Sequence, residues 1–285
     1  MFPDLGAPIA DAVNRFVDWL VIEHGAFFES IANSVLVVLV AIERVLRGAP
    51  PILILIAVGL IAFAASRHVL LSLVMAALTW LIGSLGLWDQ AMQTMALLIV
   101  AVGIAILLGI PFGVLTAKSG IARGVINPLL DLMQTIPSFV YLIPAAMLFG
   151  LGKVPAILAT VIYATPPLIR LTDLGIRQVD REVVEASRAF GATRWQVLRG
   201  VQIPLALPSI MQGINQTMMM ALAMVVIASM IGARGIGETV LIGLQRNDPG
   251  TGLIGGLAIV LLAIIFDRTS QAFGQRLQNY RRIRS

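Results

Sequence analysis

The chain of 285 residues is 58% apolar and 12% charged, with a mean hydropathy of +0.93 and a formal net charge of +5. Soluble domains are about 45–50% apolar and about 25% charged, so this composition excludes a water-soluble globular protein and indicates an integral membrane protein. The apolar runs do not alternate with polar residues, which argues against a β-barrel, and a chain without cysteine has no disulfide framework or thiol chemistry.

The N-terminus lacks the basic region, apolar core and cleavage site of a removable signal. Residues 31–47 form an apolar run closed by Glu43, Arg44 and Arg47, too short to cross a hydrocarbon core about 30 Å thick. An amphipathic helix lying in the interface is expected there, within an extracytoplasmic segment 1–48. A tilted extra span is the alternative, and it would place the N-terminus on the other side. About seven further stretches have the length and apolarity of spans: 50–65, 69–88, 93–116, 127–150, 154–169, 205–231 and 252–266. The expected fold is therefore an all-α multi-span helical bundle, with a peripheral helix pair in 49–90, a core over 91–271 and a basic tail over 272–285. Pro128, Pro137 and Pro144 in the fourth stretch, and Pro155, Pro166 and Pro167 in the fifth, free carbonyls that only neighbours or water satisfy in a bilayer, so both stretches are expected to face other helices.

Basic residues set the orientation. With a cytoplasmic C-terminus and alternating spans, the inside carries Arg67, Lys118, Arg123, the arginines from Arg170 to Arg199 and those from Arg268 to Arg284. Arg15, Arg44, Arg47, Lys153, Arg234 and Arg246 stay outside among an excess of acidic residues. This satisfies the positive-inside rule and makes the loop over 171–204 cytoplasmic. Topology thus explains the sequence pI of 10.4 without a nucleic-acid partner.

That loop is more elaborate than a connection requires. Asp180 is placed to cap a short helix with Glu182 in its first turn, and Gly191 suits the left-handed residue that ends one. Thr193-Arg194-Trp195-Gln196 has the spacing of a capping box, so a second helix is expected from there until Pro204 interrupts it.

The run Glu185-Ala186-Ser187, then Gly191, then Val201-Gln202-Ile203-Pro204 resembles the EAA loop of permeases of type I ABC importers. The spacing matches throughout, with serine at the third position and Val201 and Ile203 in place of isoleucine and leucine. Further stretches, including "LLDLMQTIPSFVYLIPAAMLFGLG", "ATPPLIRLTDLGIRQV" and "GINQTMMMALAMVVIASMIGARGIGETVL", are similar to the branch that takes up glycine betaine, proline betaine and choline. The resemblance implies a non-enzymatic permease in a bacterial inner membrane, with Glu185, Ala186, Ser187, Gly191 and Pro204 coupling it to a cytoplasmic ATPase. It also implies a second permease copy, an extracytoplasmic substrate-binding protein, and ATP and magnesium held by the ATPase, with no cofactor in this chain. Quaternary ammonium ions are selected by aromatic cages; the chain is 6% aromatic, so most selectivity is expected in the binding protein.

Gln212, Asn215 and Gln216 share one helix face with Met219. Two readings stay open: these residues, with Gln134, line a water-accessible pathway, or the amides bond between neighbouring helices. Asp131 is expected to pair with a nearby arginine or a helix end. "GARGIG", Gly232 to Gly237, follows an apolar helix rather than a strand and is expected to be an external turn, not a nucleotide fingerprint. His24 and His68 have no second histidine at ligand spacing, so no metal site is expected. An ion-coupled carrier would give no reason for the capped pair, and a membrane enzyme would show clustered histidines or carboxylates.

Overall fold

The computed structural model describes residues 5–282, and the ordered elements among them are helices. The chain opens with α1 (Gly6–Gly48), two short apolar helices, α2 (Pro51–Ser66) and α3 (Val69–Ser84), and the long α4 (Trp88–Lys118). Next come α5 (Gly120–Thr135), a 3-10 turn at Ser138–Tyr141 and α6 (Leu142–Phe149). α7 (Lys153–Ala164) and α8 (Pro166–Arg177) together make one apolar helix of 25 residues. The hairpin of α9 (Arg181–Ala189) and α10 (Arg194–Val197) precedes α11 (Ile203–Ser229), α12 (Ile236–Gln245) and α13 (Pro249–Arg282). Local chemistry marks several starts: proline occupies the first turn of α2, where its missing N–H costs nothing, and the Ser119 hydroxyl accepts from the Ala122 amide at the start of α5.

The all-α membrane class holds, but the spans are distributed differently from expectation. Among the described residues, five helices are long and apolar enough to cross a membrane, or six if the bent pair α5–α6 counts as one span. Residues 31–47 are not a separate interfacial helix; they are the end of the 43-residue α1, which is bent at His24 and meets the length and hydropathy of a span. The charged close of that run lies at the C-terminal end of α1, where Arg47 and Glu43 find Asp89 and Lys153 on other helices. At 16 residues each, α2 and α3 extend about 24 Å, less than the about 30 Å of a hydrocarbon core. The stretch 127–150 is not one span either: α5 and α6 meet at 107°. Pro137 forces Ile136 out of the helical region, to φ −68° and ψ 129°. α5 buries only Leu130, so the expectation that both proline-rich stretches face other helices is met by the mostly buried α7 and α8 and not by α5. The last residues of the basic tail, 283–285, lie outside the described residues.

α8 is held between α4 and α11 with glycine at the closest approaches. A Cβ at Gly109 would lie 2.8 Å from Leu168 Cδ2, and one at Gly113 would lie 2.5 Å from Thr172 Cβ. On the other side, a Cβ at Gly213 would lie 3.0 Å from Leu168 Cδ1, and one at Gly175 would lie 2.7 Å from Ser209 Cβ. Lipid tails are as apolar as leucine, so such close backbone approach, not water exclusion, drives helix association in a membrane. Thr217 adds a hydroxyl bond of 2.9 Å to the Ala164 carbonyl.

At the end of the bundle opposite the α9–α10 hairpin, a closed polar circuit ties α1 to α4 and α7. Lys153 donates to Glu43 at 2.7 Å and to Gln93 at 2.9 Å; Gln93 donates to Asp89 at 2.8 Å; Arg47 bridges Asp89 at 2.6 Å and Glu43 at 3.1 Å. Beside it the Ile236 amide donates to Thr94 Oγ1 and the Gly152 amide to the Ile231 carbonyl, which fixes the turn after α11. "GARGIG" is part of that turn, with Gly232 and Gly235 at positive φ, and carries no nucleotide-binding strand context.

Gly113→Val is expected to lower the unfolding free energy by about 2 kcal/mol or more, because the added methyls meet Thr172 in a packed core. Gly103→Val, where nothing lies within 4 Å of the new Cβ, should leave it nearly unchanged. Thermal unfolding of the two variants in detergent distinguishes them.

Candidate functional site

The hairpin folds as its local chemistry dictates. Asp180 Oδ1 accepts from the Glu182 amide at 2.9 Å, capping α9. The helix ends in a two-bond closure: the Gly191 amide donates to the Arg188 carbonyl at 2.9 Å and the Ala192 amide to the Ser187 carbonyl at 3.2 Å. Gly191 sits at φ +82°, which a β-branched residue resists. Two residues on, Thr193 Oγ1 accepts from the Gln196 amide at 3.3 Å while Gln196 Oε1 accepts from the Thr193 amide at 2.8 Å, completing the capping box.

The second helix does not stop at Pro204. A π turn over Leu198–Gln202, in which the Ile203 amide reaches back to the Leu198 carbonyl, carries the chain from α10 into α11. The two form one apolar helix from Arg194 to Ser229. Proline has no N–H to lose from a ladder that has already widened ahead of it, so the expected interruption becomes a bulge.

α9 buries only Val184. Glu185, Ala186 and Gly191 are exposed, and Ser187 and Pro204 are half-buried. Large apolar side chains at the bend also face outward: Phe190 is 92% exposed and Trp195 60%, the latter with the Arg199 guanidinium 5.3 Å from its ring. Beside them a cleft opens between the end of α4, at Val114, Leu115 and Lys118, and Arg188, Arg194 and Trp195 of the hairpin. Lys118 donates to Gln202, joining that end of α4 to the π turn. Exposed aromatics rimmed by charges mark a surface that a partner covers. Phe190 was not singled out from the sequence, although a phenylalanine just before a helix-ending glycine in a charged loop has no core to enter.

The pathway candidates separate. Asn215 is helix glue: its amide donates to Asp267 Oδ1 at 2.9 Å, and the Ser270 hydroxyl donates to Asn215 Oδ1 at 2.6 Å. Gln134, Gln212, Gln216 and Met219 are exposed instead. On α8, Leu168, Ile169 and Thr172 meet α4, while Leu171 and Gly175 meet α11. Arg170, Leu174 and Arg177 are left on the remaining side. On α11 the exposed Gln212, Gln216 and Met219 lie between the positions that meet α8 and Asn215, which meets α13. Asp131 and Gln134 of α5 are exposed as well, and Asp131 joins α5 to the open side of α8. It pairs there with Arg170, as the sequence led us to expect. Asp173 is buried but neutralised twice, by Arg123 Nη2 at 3.2 Å and Arg177 Nε at 3.1 Å.

A multi-helix membrane body with a capped, partner-ready hairpin and an open polar face defines a transport permease. The family described as "Binding-protein-dependent transport system inner membrane component" matches residues 109–279, and the chain belongs to it. The chain is 46% identical over 270 residues, 94% of its length and 75% of the relative's, to the glycine betaine/proline betaine transport system permease protein ProW of Escherichia coli (strain K12). It is 43% identical to the glycine betaine/carnitine transport permease protein GbuB of Listeria monocytogenes, covering 95% and 97% of the two chains. It is 44% identical to the glycine betaine transport system permease protein OpuAB of Bacillus subtilis, covering 93% of each. Among solved structures, an inward-facing MetNI methionine ABC transporter superposes with a TM-score of 0.60 at 21% identity, over 65% of this chain and 93% of that one.

Thr193→Ala removes the side-chain acceptor of the capping box and is expected to cost about 1 kcal/mol of local helix stability. Hydrogen exchange at the amides of 194–198 should accelerate about five-fold, with exchange in α8 unchanged.

Proposed function

We propose that the chain is the membrane subunit of an ATP-driven importer of quaternary-ammonium compatible solutes: glycine betaine, proline betaine, choline or carnitine. Two copies form the pathway by alternating access. A separate cytoplasmic ATPase, which holds ATP and magnesium, grips the α9–α10 hairpin of each copy, and an extracytoplasmic binding protein delivers the solute at the opposite end, in a bacterial inner membrane. The observation that carries this reading is the hairpin itself: its backbone groups are capped, its bend is set by Gly191, and Phe190 stands almost wholly outside the fold. The names of the relatives support the solute class, and the distribution of arginine supports a cytoplasmic hairpin and C-terminus.

The hairpin joins α11 without a hinge, so a displacement imposed on α9 by closing ATPase subunits passes into the helix that carries Gln212 and Gln216. Glu185 and Ala186 contribute an exposed charge and a small surface beside the Phe190 anchor, Gly191 fixes the angle between the two short helices, and Pro204 lies where the π turn becomes α11.

Reconstitution tests the proposal. Uptake of glycine betaine into proteoliposomes should require this chain, an ATPase subunit, ATP and the binding protein together; uptake by this chain alone overturns it. Phe190→Asp should leave membrane insertion intact and reduce co-purification of the ATPase at least about ten-fold, the scale of an aromatic interface anchor. Gly191→Val should retain ATP hydrolysis while uptake falls at least about ten-fold.

A further inference from the structure

Most charges inside the bundle are enclosed and matched. Glu43 and Lys153 have 13% and 19% of their side chains exposed, and Asp173 has 9% exposed between two arginines. The Arg170–Asp131 pair is different. It lies about 10 Å inside the hairpin end of α8, counted as seven residues from Arg177, yet its side chains keep 40% and 66% exposure on the open face. Arg170 gives one N–H to Asp131; its Nε is buried without a hydrogen-bond partner, as is that of Arg123, so it is the exposed end of the Arg170 guanidinium that sets the pair apart. A guanidinium has a fork of donors suited to a carboxylate, so this arginine retains unused capacity for a second acceptor. Gln134 is exposed one turn from Asp131, and Gln212 and Gln216 of α11 are exposed beside the positions that meet α8. An ionisable pair in a span is costly and, where it faces a route for solutes, functional.

We propose that Arg170 and Asp131 form a transit site that selects zwitterions. The carboxylate of the solute takes the Arg170 guanidinium, and the Asp131 carboxylate so released balances the quaternary ammonium by proximity, since that cation has no N–H to donate. The exchange replaces one neutral pair by two, and no net charge enters the membrane. Choline, a cation without a carboxylate, cannot open the pair, so this inference narrows the proposed solutes to the zwitterions among them. This inference rests on the proposed solute class.

The test uses the full assembly in proteoliposomes and reads solute molecules imported per ATP hydrolysed, with glycine betaine as the probe. The double variant Arg170→Met with Asp131→Leu removes both charges together, an exchange that folded proteins often accept without loss. It should keep binding-protein-stimulated ATPase within about two-fold and import at least ten-fold less betaine per ATP. Arg170→Lys, which keeps the cation but loses the fork, should fall between the double variant and the wild type. Betaine import per ATP at the wild-type level in the double variant overturns the proposal, as does a parallel loss of import and ATPase in both variants, which marks a structural pair. If the wild-type assembly imports no betaine, the proposed solute class fails and this inference with it; wild-type import with unchanged variants overturns this inference alone.

Discussion

The structure depends on the insertion of α8 between α4 and α11. Gly109 and Gly113 on one side, and Gly175 and Gly213 at the other interface, let three helices approach so closely that a Cβ at Gly113 or Gly175 would collide and one at Gly109 or Gly213 would press on Leu168. In a bilayer no hydrophobic effect presses helices together, and tight van der Waals contact between small residues takes its place. Three consequences follow. Two faces of α8 are committed to neighbours, so its third face is the one left open. Polar groups in the sandwich find few partners: the Thr116 hydroxyl bonds carbonyls of its own helix, and Thr172 Oγ1 is buried without one. And α11, tied to α8, carries the hairpin with it.

Charge is used in two ways. At the end opposite the hairpin, Glu43, Arg47, Asp89, Gln93 and Lys153 close a circuit in which each member has a partner, and it attaches α1, which precedes the region matched by the family, to the core. Asp173 does similar work among α4, α5 and α8, since Arg123 also donates to the Thr116 carbonyl at 3.0 Å. Paired charges of this kind fix one arrangement, because breaking them strands a buried charge. The open face is the opposite case: its amides and its single ion pair retain bonding capacity and face outward.

The membrane class, the helical composition and both caps of the hairpin were legible in the sequence, because each depends on composition or on residues within four positions of one another. Asp180, Gly191 and the Thr193–Gln196 box act on their own backbone, and no distant contact overrides them. Span limits were less legible. The apolar run that closes at Glu43 and Arg47 does end with α1 at Gly48, but the helix begins at Gly6, through a charged stretch that a hydropathy window leaves out. Pro137 was visible, but the 107° between α5 and α6 depends on what surrounds the break. Asn215 looked like Gln212 and Gln216 until its partners appeared 52 and 55 positions away, in Asp267 and Ser270. Periodicity places side chains on a face; it does not say which faces are covered.

The widened turn at Leu198–Gln202 has a geometric effect on everything that follows it. In a regular helix, positions eight residues apart are about 80° out of phase, whereas seven residues return to within about 20°. One surplus residue in the π turn shortens the effective count from Leu198 to Ala206 from eight to seven, and from Leu198 to Ile210 from twelve to eleven. All three therefore come onto one side, where they are buried with Leu168 and Ile176 of α8. The insertion works as a phase corrector: it brings a hairpin patterned by its own caps into angular register with a membrane rod patterned by its neighbours.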